Sequence, residues 1–214
     1  FVTGAVVITR DPETGQRNVG WYRLTSFVDA SHPRGGTYRE ELAKKFLAGF
    51  FWWNPPMNGI GRHIADAVRR GRRLEVACAV MCSPAVHVAG TTTLPHGVDE
   101  LAFAGGLEGR PIELVQCETV DLQVPANAEW VIEGHVVPEQ QECVGWHSNW
   151  IGYYDEAHLL PLMEVSCITR RRDAMWYATV EMMPPFDHVY LGVMTVEVEL
   201  LKDLQARIPE VKDV

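Results

Sequence analysis

The stretch CVGWHSNWIGYY at 143–154 sets two tryptophans, two tyrosines, one histidine and one asparagine around two glycines, and it contains no acid. His147 is its one side chain that titrates near neutrality. On an extended strand, alternation puts His147 on the same face as Asn149, an amide with no titratable proton, and Trp146 and Trp150 offer flat apolar walls that favour an aromatic ring. A loop histidine bonded to backbone and tryptophans packed in a core are the alternatives. Two short basic runs, RRGRR at 69–73 and RRR at 170–172, would suit phosphate or carboxylate, or serve as solvated loop charges.

A chain of 214 residues with 47% hydrophobic content can bury a substantial core. Its net charge of −9 argues against a nonspecific grip on nucleic acid or an anionic membrane. No apolar run approaches the ~20 residues of a membrane span. The five cysteines form no CxxC, and Cys78 and Cys82 sit in an apolar run typical of buried thiols, which fits a reducing cytoplasm. FVTGAVVITRD opens as a strand already under way, so a preceding segment or a sister subunit covering that edge is expected.

The chemistry needs a scaffold, and the pattern supplies one. TGAVVIT (3–9), the turn DPETG (11–15) and RNVGWYRLTSFV (17–28) read as a hairpin. From about 29 to 58 the composition shifts to an inserted helical or loop segment, in which YREELAKKFLAGFF has helical spacing and WWNPPMNG does not. IGRHIADAVRRGRR (60–73) repeats apolar residues at Ile60, Ile64, Ala67 and Val68 and stops at Gly71. LEVACAVM (74–81) reads as a buried strand, followed by a Ser-Pro turn and the short apolar AVHVAG. Residues 110–137 hold three β-rich runs, 159–180 two more around the basic turn, and the last segment is helical until Pro209. The fold class is α+β, built on a mainly antiparallel sheet that curls into a barrel, with flanking helices.

Several motifs in order resemble the UbiD family of decarboxylases: DPETGQRNVGWYR (11–23), GRH (61–63), the run DELAFAGGLEGRPIELVQCETVDLQVPANAEWVIEG (99–134), GYY (152–154), and a strand ending in ITR (168–170). The resemblance covers most of the chain and is densest from Asp99 to Gly134. It implies that 1–214 is the central FMN-binding split β-barrel domain, with the family's flanking domains outside it. It also implies prenylated FMN, whose modified ring activates an aromatic, heteroaromatic or α,β-unsaturated acid for loss of CO2, or for the reverse carboxylation. A divalent metal, Mn2+ or Mg2+, and often K+, would hold the phosphate. A flavin prenyltransferase would supply the cofactor, and a homo-oligomer or a complex with other subunits is the expected assembly.

Carried over residue by residue, the resemblance makes Asn18 and Glu100 metal ligands through hard oxygens, with Asn58 at the position of the family's histidine ligand. His63, five residues on, is a possible substitute or a helix residue packed on the sheet. Arg23 would contact the flavin and clamp the substrate carboxylate with a fork that lysine cannot imitate; the alternative is a strand-face ion pair. Gly20, Trp21, Tyr22 and Met57 join the flavin site, and Thr91 and Thr92 of GTTT (90–93) occupy its phosphate loop, or form a plain β-edge. The family reads EGPxGE or EGPxGD before GYY, so Val144 and Asn149 stand where two acids belong. His147 is then the candidate proton donor. Those two replacements also open a second function: a non-catalytic or assembly subunit that keeps the flavin-binding fold.

Overall fold

The computed structural model describes residues 2–26, 40–51, 59–95, 97–144, 147–148, 152–155, 158–179 and 187–214. In chain order the elements are β1 (Val2–Arg10), β2 (Arg17–Thr25), α1 (Glu40–Ala43), β3 (Phe46–Gly49), α2 (Gly59–Arg69), β4 (Leu74–Val80), α3 (Pro84–Thr91) and α4 (Glu100–Glu108). They continue as β5 (Leu114–Gln116), β6 (Gln123–Pro125), β7 (Trp130–Val144), β8 (His147–Ser148), β9 (Tyr154–Asp155), β10 (His158–Arg170) and α5 (Asp187–Arg207). Six strands close a barrel in the order β1-β2-β3-β10-β7-β4, every pairing antiparallel.

Alternation along β1 sorts the two cores. Ala5 and Val7 face the interior with Leu24, Val76, Cys78, Ile132 and Met163, where Ile60, Ile64 and Ala67 of α2 close one side. Val6 and Ile8 face outward, where Val86 and Ala89 of α3 and Leu101 and Ala104 of α4 cover them. The hairpin turn follows from Asp11, whose Oδ1 accepts the N–H groups of Glu13 and Thr14 at 2.7 and 2.9 Å.

Two buried devices set the far wall. Glu133 is 1% exposed, and its carboxylate accepts the N–H groups of Glu118 and Thr119 at 3.0 and 2.7 Å and the Thr119 hydroxyl at 2.8 Å, which pins the loop after β5 to β7. Gly134 lets β10 approach closely, for a Cβ there would lie 2.0 Å from the Glu164 carbonyl oxygen. Gly134→Ala is therefore expected to destabilise the domain by about 3 kcal/mol through forced strand separation. A lowered urea midpoint at constant slope would show it.

The hairpin, α2, β4, the three β-runs of 110–137, the first strand of 159–180 and the C-terminal helix lie where the pattern predicts them, and the structure adds or corrects the following. The helical reading of 38–51 survives only as α1; Phe46–Gly49 is the strand that joins β2 to β10, because tertiary pairing outweighs weak local helix propensity. Of the inserted segment at about 29–58, residues 29–39 and 52–58 lie outside the described residues, and β3 belongs to the barrel. AVHVAG is helix α3, started by Pro84 behind its N-cap Ser83. Only the last of the three β-runs in 110–137 enters the barrel, the others forming the separate β5–β6 pair. Among the described residues no second strand follows the basic turn: 174–179 instead lies against β1, with the Thr179 N–H donating to Thr3 Oγ1 at 2.8 Å.

Candidate active site

Strand β2 is the spine of the site. Strand β3 pairs with it at Leu24 and Thr25, and the Arg23 carbonyl accepts the Phe50 N–H at 3.1 Å, so among the described residues no strand pairs with the edge from Arg17 to Tyr22 on that side. α2, α3 and α4 all pack against this strand. Gly90 of α3 comes into van der Waals contact with the backbone at Gly20 and Trp21, 3.4 Å from the Trp21 nitrogen to a Cβ placed there.

At one end of the edge stand Asn18 and Glu100. Arg17 holds α4 in place, its Nε and Nη2 both donating to Asp99 Oδ2 at 3.1 and 2.6 Å. Asp99 in turn caps the helix, its Oδ1 accepting from Leu101 and Ala102. The next residue, Glu100, thereby reaches β2, where its carboxylate accepts the Val19 N–H. Burial pushes the Glu100 carboxyl up, opposed by its own N–H and that of Val19, and its Oε2 is buried without a partner. Asn18 faces the barrel interior, where its buried side chain hydrogen-bonds the Tyr22 phenol. Its Oδ1 fills the space above Gly59, the first residue of α2: a Cβ there would lie 1.6 Å from it.

At this strand end Glu100 has one unsatisfied carboxylate oxygen and Asn18 carries an amide oxygen, and hard oxygens of this kind fit a small divalent cation. Among the described residues no group of three or more His, Cys, Asp or Glu is placed to hold a metal, so the amide of Asn18 is an essential part of any such set. His63 is the helix residue packed on the sheet that the sequence offered as one of its two readings. It is 8% exposed, and its Nδ1 shares a 2.9 Å hydrogen bond with Thr9 Oγ1; Thr9 lies directly across the hairpin from Asn18. Burial depresses its imidazole, countered by Asp11 and Asp66. The signal was in the pattern, since His63 sits at i+3 on the Ile60–Ile64–Ala67 stripe.

Gly20, Trp21 and Tyr22 form the middle of the edge. Tyr22 points inward over Gly20 and against Phe51, with ring centroids 5.8 Å apart. Burial raises its phenol, and the Ile60 N–H of α2 opposes that by donating to it. Trp21 points outward, edge-on to His87 of α3 at 6.0 Å. Arg23 ends the row on the outward face, its guanidinium 4.2 Å from the Phe50 ring centroid. Five residues of strand set it about 17 Å from Asn18 at 3.3 Å per residue.

Thr91 and Thr92 lie at the C-terminal end of α3, and both hydroxyls donate to the Val88 carbonyl, at 2.9 and 2.7 Å. The Thr92 N–H is likewise spent inside the helix end. Met57, Asn58, Asn149, Trp146 and Trp150 lie outside the described residues. His147 begins β8, and the residue directly across from it on β9 is Asp155, an acid one position beyond the aromatic stretch. Val144 ends β7 opposite His158.

A closed antiparallel barrel with one strand edge left open between three helices defines an α+β split-barrel domain. The family described as UbiD, the 3-octaprenyl-4-hydroxybenzoate carboxy-lyase Rift-related domain, matches residues 1–184, and the chain belongs to the UbiD family. It is 35% identical over 219 residues to an uncharacterized protein of Archaeoglobus fulgidus, covering 100% of this chain and 41% of that protein. It is similar to the solved UbiD-class enzyme HmfF from Pelotomaculum thermopropionicum in complex with FMN, with TM-score 0.82, 35% identity, and coverage of 99% of this chain and 43% of that one. An evolved dimeric form of the same enzyme in complex with prFMN gives TM-score 0.82 over 45% of its length. The chain thus spans less than half the length of these relatives.

Proposed function

We propose that this chain is the flavin-binding barrel of a prenylated-FMN-dependent decarboxylase, or reverse carboxylase, of an aromatic, heteroaromatic or α,β-unsaturated carboxylic acid. The observation that carries the reading is the open β2 edge, with Asn18 and Glu100 at one end and Arg23 at the other. When bound, the prenylated flavin supplies the electron sink for loss of CO2. The chain's own residues do the rest. Asn18 and Glu100 would present oxygens for Mn2+ or Mg2+ at the flavin phosphate, with Asn58 at the position of the family's third ligand and His63 as its substitute. K+ would share the same end. The β2 edge at Gly20, Trp21 and Tyr22 and the helix end at Thr91 and Thr92 line the cofactor's flank, with Met57. Arg23 turns a planar fork toward the substrate carboxylate.

Val144 and Asn149 stand at the positions of the family's two acids, so the proton that replaces CO2 comes from another group. His147 is that group in this reading. A positioned general acid contributes on the order of 10²–10⁴ in rate, so His147→Ala is expected to lower turnover by that factor while flavin binding persists. Turnover in the variant within about threefold of the parent would remove His147 from the chemistry.

The test of the whole reading is co-expression with a flavin prenyltransferase, followed by the absorbance spectrum and CO2 release from a panel of aryl and unsaturated acids, using the polypeptide with any flanking domains it carries. Bound flavin with turnover supports the proposal, and failure to bind flavin sinks it. The replaced acids favour one second reading, a barrel that keeps flavin within a multi-subunit assembly while another chain does the chemistry; bound flavin without turnover would select it. Cys78, Cys82, Cys117 and Cys167 are free thiols, which supports a reducing, cytoplasmic setting. Among the described residues no helix is long and apolar enough to cross a membrane.

A further inference from the structure

Arg10 and Arg17 lie directly opposite each other at the end of the β1–β2 hairpin, both on the outward face. Like charges opposed across a strand pair are unfavourable, and the structure holds each arginine aside with its own aspartate. Arg10 donates from Nη1 to Asp121 Oδ2 at 2.9 Å and from Nη2 to the Asp121 carbonyl. Arg17 spends Nε and Nη2 on Asp99 Oδ2. Those bonds leave Arg10 Nε and Arg17 Nη1 uncommitted.

Between them opens a cavity of about 410 Å³, lined by both arginines, Gln16, Gln123 and Asp99, within the ~300–1,000 Å³ range of small-ligand pockets. Asp99 is its one lining carboxylate, and both of its oxygens are engaged, Oδ1 by two helix N–H groups and Oδ2 by Arg17. Asp121, on the far side of Arg10, is 75% exposed. On a chain of net charge −9, this is a local concentration of guanidinium donors with two amides beside it. Planar guanidinium groups match the paired oxygens of phosphate and carboxylate.

We propose that this cavity is a second anion-binding site, separate from the Asn18–Glu100 end of β2, for a small polyanion bearing phosphate or several carboxylates. It does not depend on the chain being a decarboxylase.

Calorimetric titration of the purified protein with glycerol 3-phosphate and, separately, citrate, at ionic strength held constant with NaCl, tests it. Saturable binding of either probe is expected, and which one binds identifies the class. The double variant Arg10→Met, Arg17→Met should weaken that binding by at least about tenfold, whereas Glu100→Gln should leave it within about twofold. Arg10→Met alone, at a more exposed position, keeps the test open should the double variant misfold by circular dichroism. Absence of saturable binding overturns the proposal, as does binding that survives the arginine variants. Equal loss in Glu100→Gln also overturns it, because the probe would then be reading the flavin phosphate's end.

Discussion

Glu100→Gln is expected to abolish metal-dependent retention of FMN, raising the dissociation constant in the presence of Mn2+ on the order of 10²-fold or more, while the protein remains folded. The expectation follows from the electrostatics of the site. Glu100 is desolvated, one oxygen takes the Val19 N–H and the other is buried with no partner. A carboxylate in that condition is costly until a cation neutralises it, and a divalent ion beside a phosphate does so directly. Losing even a partner of a metal ligand typically costs ten- to a hundredfold, so losing the charged ligand itself should cost at least as much. Glutamine keeps the shape and the N–H contact, so the apoprotein's melting temperature should hold or rise. FMN titrations followed by flavin fluorescence, with Mn2+ and again with EDTA, separate the two effects. Wild-type FMN affinity with unchanged Mn2+ dependence in the variant would remove Glu100 from the metal set.

Arg23→Lys is expected to retain flavin within a few-fold yet lose turnover by about 10², the scale of a misplaced reacting group. Lysine preserves the charge, and its ammonium can still lie against Phe50, but it offers a point donor where the arginine offers a planar fork held over the ring. The split between constants is the informative part. A clamp on the substrate carboxylate shows as a raised KM together with a lowered kcat/KM, whereas a purely structural ion pair shows as lost stability with kinetics intact. The second pattern would return Arg23 to the role of a strand-face residue.

The outer frame was legible because local patterns and tertiary demand agreed. β1, β2 and β4 are β-branched, apolar and bounded by turn residues, and α2 has a clean apolar stripe ended by Gly71, whose φ is 62°. Phe46–Gly49 was not legible as a strand, because four residues following a helix-forming run acquire their state from partners over a hundred residues away on β10. AVHVAG carried no assignment from the sequence. Its apolar residues fit strand or helix equally, and the decision rests on Pro84 at the first helical position and on docking of Gly90 against β2.

The candidate site divides the same way. Asn18, Arg23 and Glu100 were nameable from motifs, and alternation alone puts Asn18 and Arg23 on opposite faces of one strand. That Glu100 meets β2 depends on the Arg17–Asp99 pair, which spans 82 residues of chain and appears in no local pattern. The place of His63 depends on Thr9, reached across 54 residues. Residue types and their spacing thus determined the family, the α+β class and which side chains carry oxygen and nitrogen donors. Only the closed barrel decided that one edge of β2 stays unpaired and which donors gather along it, because strand pairing and helix docking are set by burial summed over the whole chain rather than by any segment's own preference.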